Sequence, residues 1–180
     1  MREVDEGRLA RQLASGDRSA ADRLVECTYR RIFGYLSRLC GGDVERAADL
    51  TQETYRKAWA ALDGFDGRSK LSTWLYSIAY RTFLNHRRRP FRLVGVDELE
   101  AVSTQPLPDE LVGRASQDHA LRRAVLELPE SLRFTVTAHY WGELPVKEIA
   151  RQEEVTPVAI RKRLKKAFAL LAGALAKEAS

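Results

Sequence analysis

The segment LSTWLYSIAYRTFLNHRRR, from Leu71 to Arg89, constrains the fold of this chain more than any other. Its apolar positions recur every three or four residues, which predicts an amphipathic helix with one buried face. The positions on that face are Leu71, Trp74, Leu75, Ile78, Ala79, Thr82 and Phe83. Pro90 follows directly and predicts the end of the helix, because the residue before a proline disfavours helical geometry.

The opposite face of this helix has a composition that suits a nucleic-acid strand. It carries Thr73, Ser77, Tyr80, Arg81, Leu84, Asn85 and Arg88, and the segment ends in Arg87, Arg88 and Arg89. Arginines contact phosphates, an aromatic ring stacks on a base, and an amide binds a base edge. An ordinary surface helix, with terminal arginines that complement the helix dipole, explains the same residues. On this helix alone, both interpretations stay open.

The rest of the chain also has helical patterns, and no stretch shows the alternation of a strand. We therefore predict an all-α fold of two small helical bundles joined by a flexible linker. Residues 1–90 form the first predicted domain and residues 119–180 form the second. Residues 91–118 have no sustained periodicity and are predicted to form the linker between them. The helices are predicted at about 8–15, 20–39, 43–62, 71–89, 119–128, 130–141, 146–152 and 157–176.

The charge of the chain is divided along its length. The net charge is +5, with 17 Lys and Arg against 12 Asp and Glu in residues 1–90, and 11 against 7 in residues 119–180. Residues 91–118 hold only 2 basic residues against 6 acidic ones. Two basic blocks that flank an acidic connector are typical of two nucleic-acid-binding modules on a tether that avoids the polyanion.

Composition also excludes several classes of protein. No uncharged apolar run approaches the ~20 residues that span a bilayer, and the N-terminus lacks a secretion signal, so we expect a cytoplasmic protein. Cys27 and Cys40 are expected to be buried thiols rather than a disulfide. His86, His119 and His139 have no metal-ligand spacing, and we expect neither a metal nor a cofactor.

Residues 145–166, PVKEIARQEEVTPVAIRKRLKK, have the pattern of a helix-turn-helix. Its expected apolar core consists of Ile149, Ala150, Val155, Ile160 and Leu164. Thr156 is a good N-cap and Pro157 suits the first position of the second helix. The exposed face of that helix should carry Arg161, Lys162 and Lys165, so we predict DNA binding; a solvated basic helix is the alternative. Glu154 occupies the turn, where glycine usually supplies a positive φ.

A third polar face lies on the helix VERAADLTQETYRKAWAALDGF. Asp49, Gln52, Glu53 and Arg56 share one side of it. Such a face is often simply solvated, and the functional interpretation is a docking site for a protein partner.

Together these motifs resemble an RNA polymerase sigma factor of the extracytoplasmic-function (ECF) group, in the sigma-70 family. The resemblance rests on DLTQETYRKAW, FDGRSKLSTWLYSIAYRTFLNHRRR and LELPESLRFTVTAHYWGELPVKEIARQEEVTPVAIRKRL, in that order. It runs from about Leu9 to Leu171. Members of the group keep only sigma domains 2 and 4, which would correspond to the two predicted bundles.

The resemblance implies a role for each motif. It implies that core RNA polymerase binds this chain through its β′ clamp helices and β flap. Promoter DNA would be the second partner, and an anti-sigma protein is a further candidate partner. The clamp helices would contact Asp49, Gln52, Glu53 and Arg56. The −10 element would be read and opened by Phe65, Arg68, Lys70, Thr73, Ser77, Tyr80, Arg81, Asn85, Arg87 and Arg88. The −35 element would be read by Thr156, Pro157, Ala159, Arg161, Lys162, Lys165 and Lys166.

Two other functions are weighed against this one. A stand-alone helix-turn-helix regulator would bind a duplex operator tightly without polymerase. An enzyme acting on nucleic acid has little support, because the sequence offers no metal-ligand cluster, phosphate-binding glycine loop or activated nucleophile. The resemblance therefore predicts a non-enzymatic factor that directs promoter-specific initiation of transcription.

Overall fold

The computed structural model describes residues 6–15, 17–66, 68–88 and 115–178. Within those ranges the chain is helical and contains no strand, which confirms the predicted all-α class. The helices are α1 (Glu6–Ala14), α2 (Arg18–Leu39), α3 (Val44–Ala61), α4 (Leu71–Arg88), α5 (Ala115–Glu127), α6 (Glu130–Val136), α7 (Val146–Glu153) and α8 (Pro157–Glu178). A short 3₁₀ turn, Leu62–Gly64, follows α3, and a π-helical turn, Thr137–Trp141, extends α6.

Several helix ends follow directly from local chemistry. Asp17 accepts a hydrogen bond from the Ser19 amide at 2.9 Å and caps α2. Asp43 accepts one from the Arg46 amide at 3.0 Å and caps α3. Between α2 and α3, Gly41 and Gly42 have φ values of 71° and 94°, a conformation that a side chain would strain.

Helices α2, α3 and α4 form the core of the first module. Large side chains from these helices are almost completely buried: Ile32, Tyr35, Leu36, Leu50, Leu75 and Phe83. Helix α1 packs at one end, where Leu9 and Leu13 meet Leu24 and Leu71 in a smaller cluster. The periodic stripe of α4 therefore faces a core, as its spacing predicts.

The second module is built on the predicted helix-turn-helix. Ile149 and Ala150 of α7 are buried against Ile160 and Leu164 of α8, and Val155 packs at the edge. Helices α5 and α6 close the other side of α8 with Leu128 and Leu132 among the buried residues.

The two modules share one continuous hydrophobic core. Phe83 of α4 meets Phe134 of α6 edge to face, with ring centroids 4.8 Å apart. The Arg38 guanidinium lies over the Trp141 ring at 4.9 Å, so the π-helical turn contacts α2. At Gly142 an added Cβ would lie only 3.0 Å from the Tyr35 ring, which shows how closely the backbone of the second module approaches the first.

The structure corrects two expectations about this architecture. Helix α5 begins at Ala115, so the last four residues of the predicted linker are helical; residues 91–114 lie outside the described part. Cys27 is exposed, which makes its predicted burial wrong, because it falls outside the arc of α2 that buries Leu24, Ile32 and Leu39. Both cysteines are free thiols, in agreement with the expected absence of a disulfide framework.

The two thiols should differ in reactivity. Cys40 is half-buried, and burial raises the pKa of its thiol to about 12, so it carries almost no thiolate near neutral pH. We expect a disulfide reagent at pH 8 to modify one thiol quickly and the second only after denaturation. The variant Cys27→Ser should lose the fast reaction. Two thiols reacting at one rate in the folded protein would contradict this arrangement.

Among the described residues, no helix is both long and apolar enough to cross a membrane.

Candidate nucleic-acid interface

The polar face of α3 is on the surface. Asp49, Gln52 and Arg56 are exposed, and Glu53 is partly covered by its neighbours. The Arg56 guanidinium donates two hydrogen bonds to the Glu53 carboxylate, at 2.8 and 2.7 Å, and the Lys57 ammonium lies 3.3 Å from it. The hydrogen bonds from Arg56, with help from Lys57, lower the pKa of Glu53 to about 2. Glu53 therefore stays ionised throughout the physiological pH range.

Large aromatic side chains extend this face. Trp59, seven residues after Gln52 and on the same side of α3, is 37% exposed. Tyr29 of α2 is 41% exposed and stacks on both Phe33 and Tyr55, with ring centroids 6.2 and 6.4 Å away. Exposed aromatics beside a charged face are typical of protein-binding surfaces.

The apolar stripe of α4 is buried largely as predicted. Leu71, Leu75, Ala79, Thr82 and Phe83 are buried. Trp74 and Ile78 are half-buried, and the Trp74 ring lies 5.2 Å from that of Phe65.

On the face of α4 opposite the apolar stripe, some residues are exposed and others are buried. Arg81 and Asn85 are exposed, as expected of residues that meet DNA. Tyr80 and Leu84, which the sequence interpretation placed on the exposed face, are buried, so their predicted exposure is wrong for this arrangement of the modules. Thr73 and Ser77 are half-buried.

The buried half of α4 is covered by α7 and the turn that follows it. The Ser77 hydroxyl donates to Glu148 Oε1 at 3.2 Å and accepts from Gln152 Nε2 at 2.7 Å. The Tyr80 hydroxyl donates to the Glu153 carboxylate, which also accepts from Arg163. Three polar side chains of the second module thus bind residues that were assigned to the −10 element.

Burial, and then the nearby Glu153 carboxylate, raise the pKa of Tyr80 above its ordinary value. The phenol is therefore neutral and acts as a donor to the carboxylate.

The last arginines of α4 also contact the second module. Arg88 Nη1 donates to Glu154 Oε1 at 3.0 Å, and Arg88 Nη2 donates to the backbone oxygen of Gln152 at 3.3 Å. Arg87 lies over the Phe134 ring at 4.9 Å and 3.8 Å from the Glu130 carboxylate. In this structure both guanidinium groups bind protein.

The loop before α4 carries the other residues assigned to the −10 element. Phe65 is half-buried against Trp74, whereas Arg68 and Lys70 are exposed. Asp66 accepts a hydrogen bond from the Arg68 amide at 3.0 Å and also pairs with its guanidinium at 3.2 Å.

Helix α8 presents its basic residues to solvent. Arg161, Lys162, Lys165 and Lys166 are exposed, while Pro157 and Ala159 are half-buried at the start of the helix. Thr156 accepts a hydrogen bond from the Ala159 amide at 3.2 Å, which confirms the predicted cap. Arg163 instead points at Glu153. Four cations on the open face of a helix-turn-helix suit the major groove of DNA.

Glu154 adopts the strained conformation that its position predicts. Its φ and ψ are 61° and 39°, and the carboxylate of this residue is the one that binds Arg88. Glu143, before α7, has a φ of 52° and is exposed.

Sequence reasoning missed the part that α7 plays. It treated Glu148, Gln152 and Glu153 only as members of a helix-turn-helix. The available signal was the three acids of the segment KEIARQEE, in a chain whose other module ends in a basic helix. The described residues contain no cluster of three or more acidic, histidine or cysteine side chains that could hold a metal ion.

An exposed basic helix-turn-helix beside a helical bundle with a second polar face defines a DNA-binding transcription protein. Known protein families agree: the Sigma-70 region 2 family matches residues 24–90, and Sigma-70, region 4 matches residues 118–171.

Curated relatives extend over most of the chain. The RNA polymerase sigma factor YlaC of Bacillus subtilis is 32% identical over 74% of this chain and 79% of its own. The ECF RNA polymerase sigma-E factor of Escherichia coli K12 is 31% identical over 87% of this chain and 86% of its own. The RNA polymerase sigma-H factor of Pseudomonas aeruginosa is 30% identical over 87% of this chain and 86% of its own.

Two solved structures share the fold. CnrH in complex with the cytosolic domain of CnrY covers 96% of this chain and 97% of its own, with a TM-score of 0.60 and 22% identity. The sigma factor RpoE in complex with the anti-sigma factor NepR from Bartonella quintana covers 86% of this chain and 95% of its own, with a TM-score of 0.63 and 22% identity.

The chain belongs to the ECF group of the sigma-70 family of sigma factors. As such it acts with core RNA polymerase in promoter-specific initiation of transcription. The family consists of regulatory subunits rather than enzymes.

Proposed function

We propose that the chain divides this task among three surfaces: α3 docks on polymerase, α4 with the preceding loop opens the −10 element, and α8 reads the −35 element. The observation that carries this proposal is the exposed basic face of α8 in the same chain as the polar face of α3. The protein itself performs no catalysis, and it works in the cytoplasm, associated with the nucleoid when it is bound to polymerase.

The docking surface is formed by Asp49, Gln52, Glu53 and Arg56, and Trp59 adds apolar contact area. The β′ clamp helices are the proposed partner of this surface, and the β flap is the proposed partner of the second module. Aromatic residues at the centre of an interface often carry much of its binding energy. The charge pairs of Glu53 fix its carboxylate in one orientation before binding.

The −10 surface combines the exposed half of α4 with the loop Phe65–Lys70. Arg81, Arg68 and Lys70 would contact phosphates, and Asn85 a base edge. Ser77, Tyr80 and Arg88 would join them once α7 moves away. Capture of extruded bases would offset an unstacking cost of a few kcal/mol.

The −35 surface consists of the start and basic face of α8, namely Thr156, Pro157, Ala159, Arg161, Lys162, Lys165 and Lys166. Each module alone offers few contacts, so free protein should bind DNA weakly. Docking on polymerase makes the second contact effectively intramolecular and raises the overall affinity.

The family match does not favour the stand-alone regulator. An anti-sigma partner stays a prediction for this chain, because the anti-sigma factor NepR is a partner of the solved RpoE structure. The test of the proposed function is transcription in vitro with core polymerase on a promoter library. We expect transcripts from a defined subset of promoters only when the chain is present. Tight specific binding to duplex DNA without polymerase, and no transcripts, would refute the proposal.

A further inference from the structure

Helix α8 begins with an apolar side chain on the same face as its exposed cations. Val158 is 56% exposed, which makes it the most exposed of the large apolar side chains in the described residues. Arg161, Lys162 and Lys165 follow it at the spacing of successive helical turns, so these four exposed side chains share one face. The face of α8 that suits DNA is therefore apolar in its first turn and basic in the next two.

The interior of the second module does not account for Val158. Ile160 and Leu164 are buried, and the period of the helix places them on the opposite side of α8. Helix propensity does not account for it either, because a β-branched residue forms a helix less readily than alanine does. Since neither packing nor propensity explains an exposed valine, we look for its contact outside the chain.

The position of Val158 in α8 places it close to base edges in a complex with DNA. In a helix-turn-helix, the N-terminal residues of the second helix contact the bases in the major groove. Val158 is the second residue of this helix, whereas Lys165 lies about 10 Å further along the axis. The cations can then contact phosphates beside the groove while the valine faces the bases.

Thymine offers the only apolar group that such a side chain meets in the major groove. Its 5-methyl group projects there, whereas the amino groups of cytosine and adenine are hydrogen-bond donors. Valine cannot accept from a donor, and a donor that loses water without a new partner costs free energy. Two methyl groups in contact instead remove apolar surface from water. In a helix the valine side chain has one strongly preferred rotamer, so its methyl groups are oriented before DNA binds.

We propose that Val158 determines specificity at one base pair of the −35 element: its two γ-methyl groups contact the 5-methyl group of a thymine, and a pair without that methyl group binds less tightly. This inference rests on the proposed function of α8 and adds the base that the helix selects at one position. The contact is apolar and releases no counterions, so it leaves the salt dependence of binding unchanged.

The test measures the affinity of the holoenzyme for a promoter selected from the library. Each thymine of the −35 element is replaced in turn by deoxyuridine, which lacks the 5-methyl group and keeps the same hydrogen-bonding groups. With the unsubstituted chain, one replacement should lower the affinity about fourfold. With Val158→Ala the same replacement should cost less than about twofold, because both γ-methyl groups are gone. The other thymines should respond equally in the two proteins.

The matched control is Val44→Ala, which removes the same atoms from another exposed valine in the first turn of a helix, α3. It should respond to deoxyuridine as the unsubstituted chain does. Val158→Ile keeps the branched side chain and should retain the fourfold loss. The slope of log affinity against log salt should be the same for Val158→Ala and the unsubstituted chain, because valine contacts no phosphate.

Equal responses to deoxyuridine at every thymine, with and without the Val158 side chain, would overturn the inference. A −35 element without a thymine shared by the selected promoters would also overturn it. Loss of polymerase affinity in Val158→Ala would do so as well, because the valine would then be a docking residue. The proposed function fails in a different way: exchange of the whole −35 element would leave transcription unchanged in every protein.

Discussion

Substitution of Asp49 and Glu53 by alanine should abolish co-purification with core RNA polymerase. Both side chains lie on the polar face of α3, and the hydrogen bonds from Arg56, with help from Lys57, lower the pKa of Glu53 to about 2. Central charged residues of an interface each cost about 2 kcal/mol or more when truncated, so the double variant should lose affinity about a thousandfold. Competition against labelled protein for a limiting amount of core polymerase measures this loss.

The fold should survive this change, because exposed ion pairs along one helix contribute little to stability. The matched control is Asp22→Ala with Asp63→Ala, two exposed acids that lie outside the polar face of α3. The control should compete normally and should have the same thermal midpoint as the docking variant. A docking variant that competes as well as the control would show that the docking face lies elsewhere.

Substitution of Arg161 and Lys165 by alanine should lower transcription that depends on the −35 element and should leave polymerase binding intact. Both residues are exposed on α8 and lie four residues apart, so they share a face. Loss of two DNA contacts worth about 1 kcal/mol or more each should lower transcription from a −35-dependent promoter at least about tenfold. The slope of log affinity against log salt should also fall by about 2, because fewer counterions are released.

Polymerase binding should be unchanged in this variant. Arg11→Ala with Arg123→Ala removes two exposed arginines elsewhere and should transcribe normally. If Arg161→Ala with Lys165→Ala loses affinity for polymerase itself, α8 is a docking element and its assignment to the −35 element is wrong.

Features that depend on neighbouring residues were predictable from the sequence. The caps at Asp43 and Thr156 and the glycines after α2 mark helix ends because their chemistry acts within one turn. The buried stripe of α4 follows from the period of the helix and the helix-turn-helix core from its spacing, so these elements agree closely with the structure.

Features that depend on contacts between the modules were not predictable in the same way. Tyr80 is covered by Glu153, which lies 73 residues later in the chain. No local sequence pattern predicts a contact between residues so far apart in the chain. The π-helical turn at Thr137–Trp141 is likewise tied to a tertiary contact, that of Trp141 with Arg38. Glu154 was visible in the sequence as an unusual turn residue, but its pair with Arg88 required the structure.

We propose that α4 opens DNA after polymerase has been bound. Permanganate reactivity of thymines, on a promoter selected from the library, tests it most directly. The unsubstituted chain with core polymerase should expose thymines of the −10 element. The double variant Arg81→Ala with Asn85→Ala changes the exposed half of α4. It should keep polymerase binding but reduce the permanganate reactivity of these thymines at least about tenfold. The control Arg30→Ala should behave like the unsubstituted chain. Full reactivity in the Arg81–Asn85 variant would contradict the account.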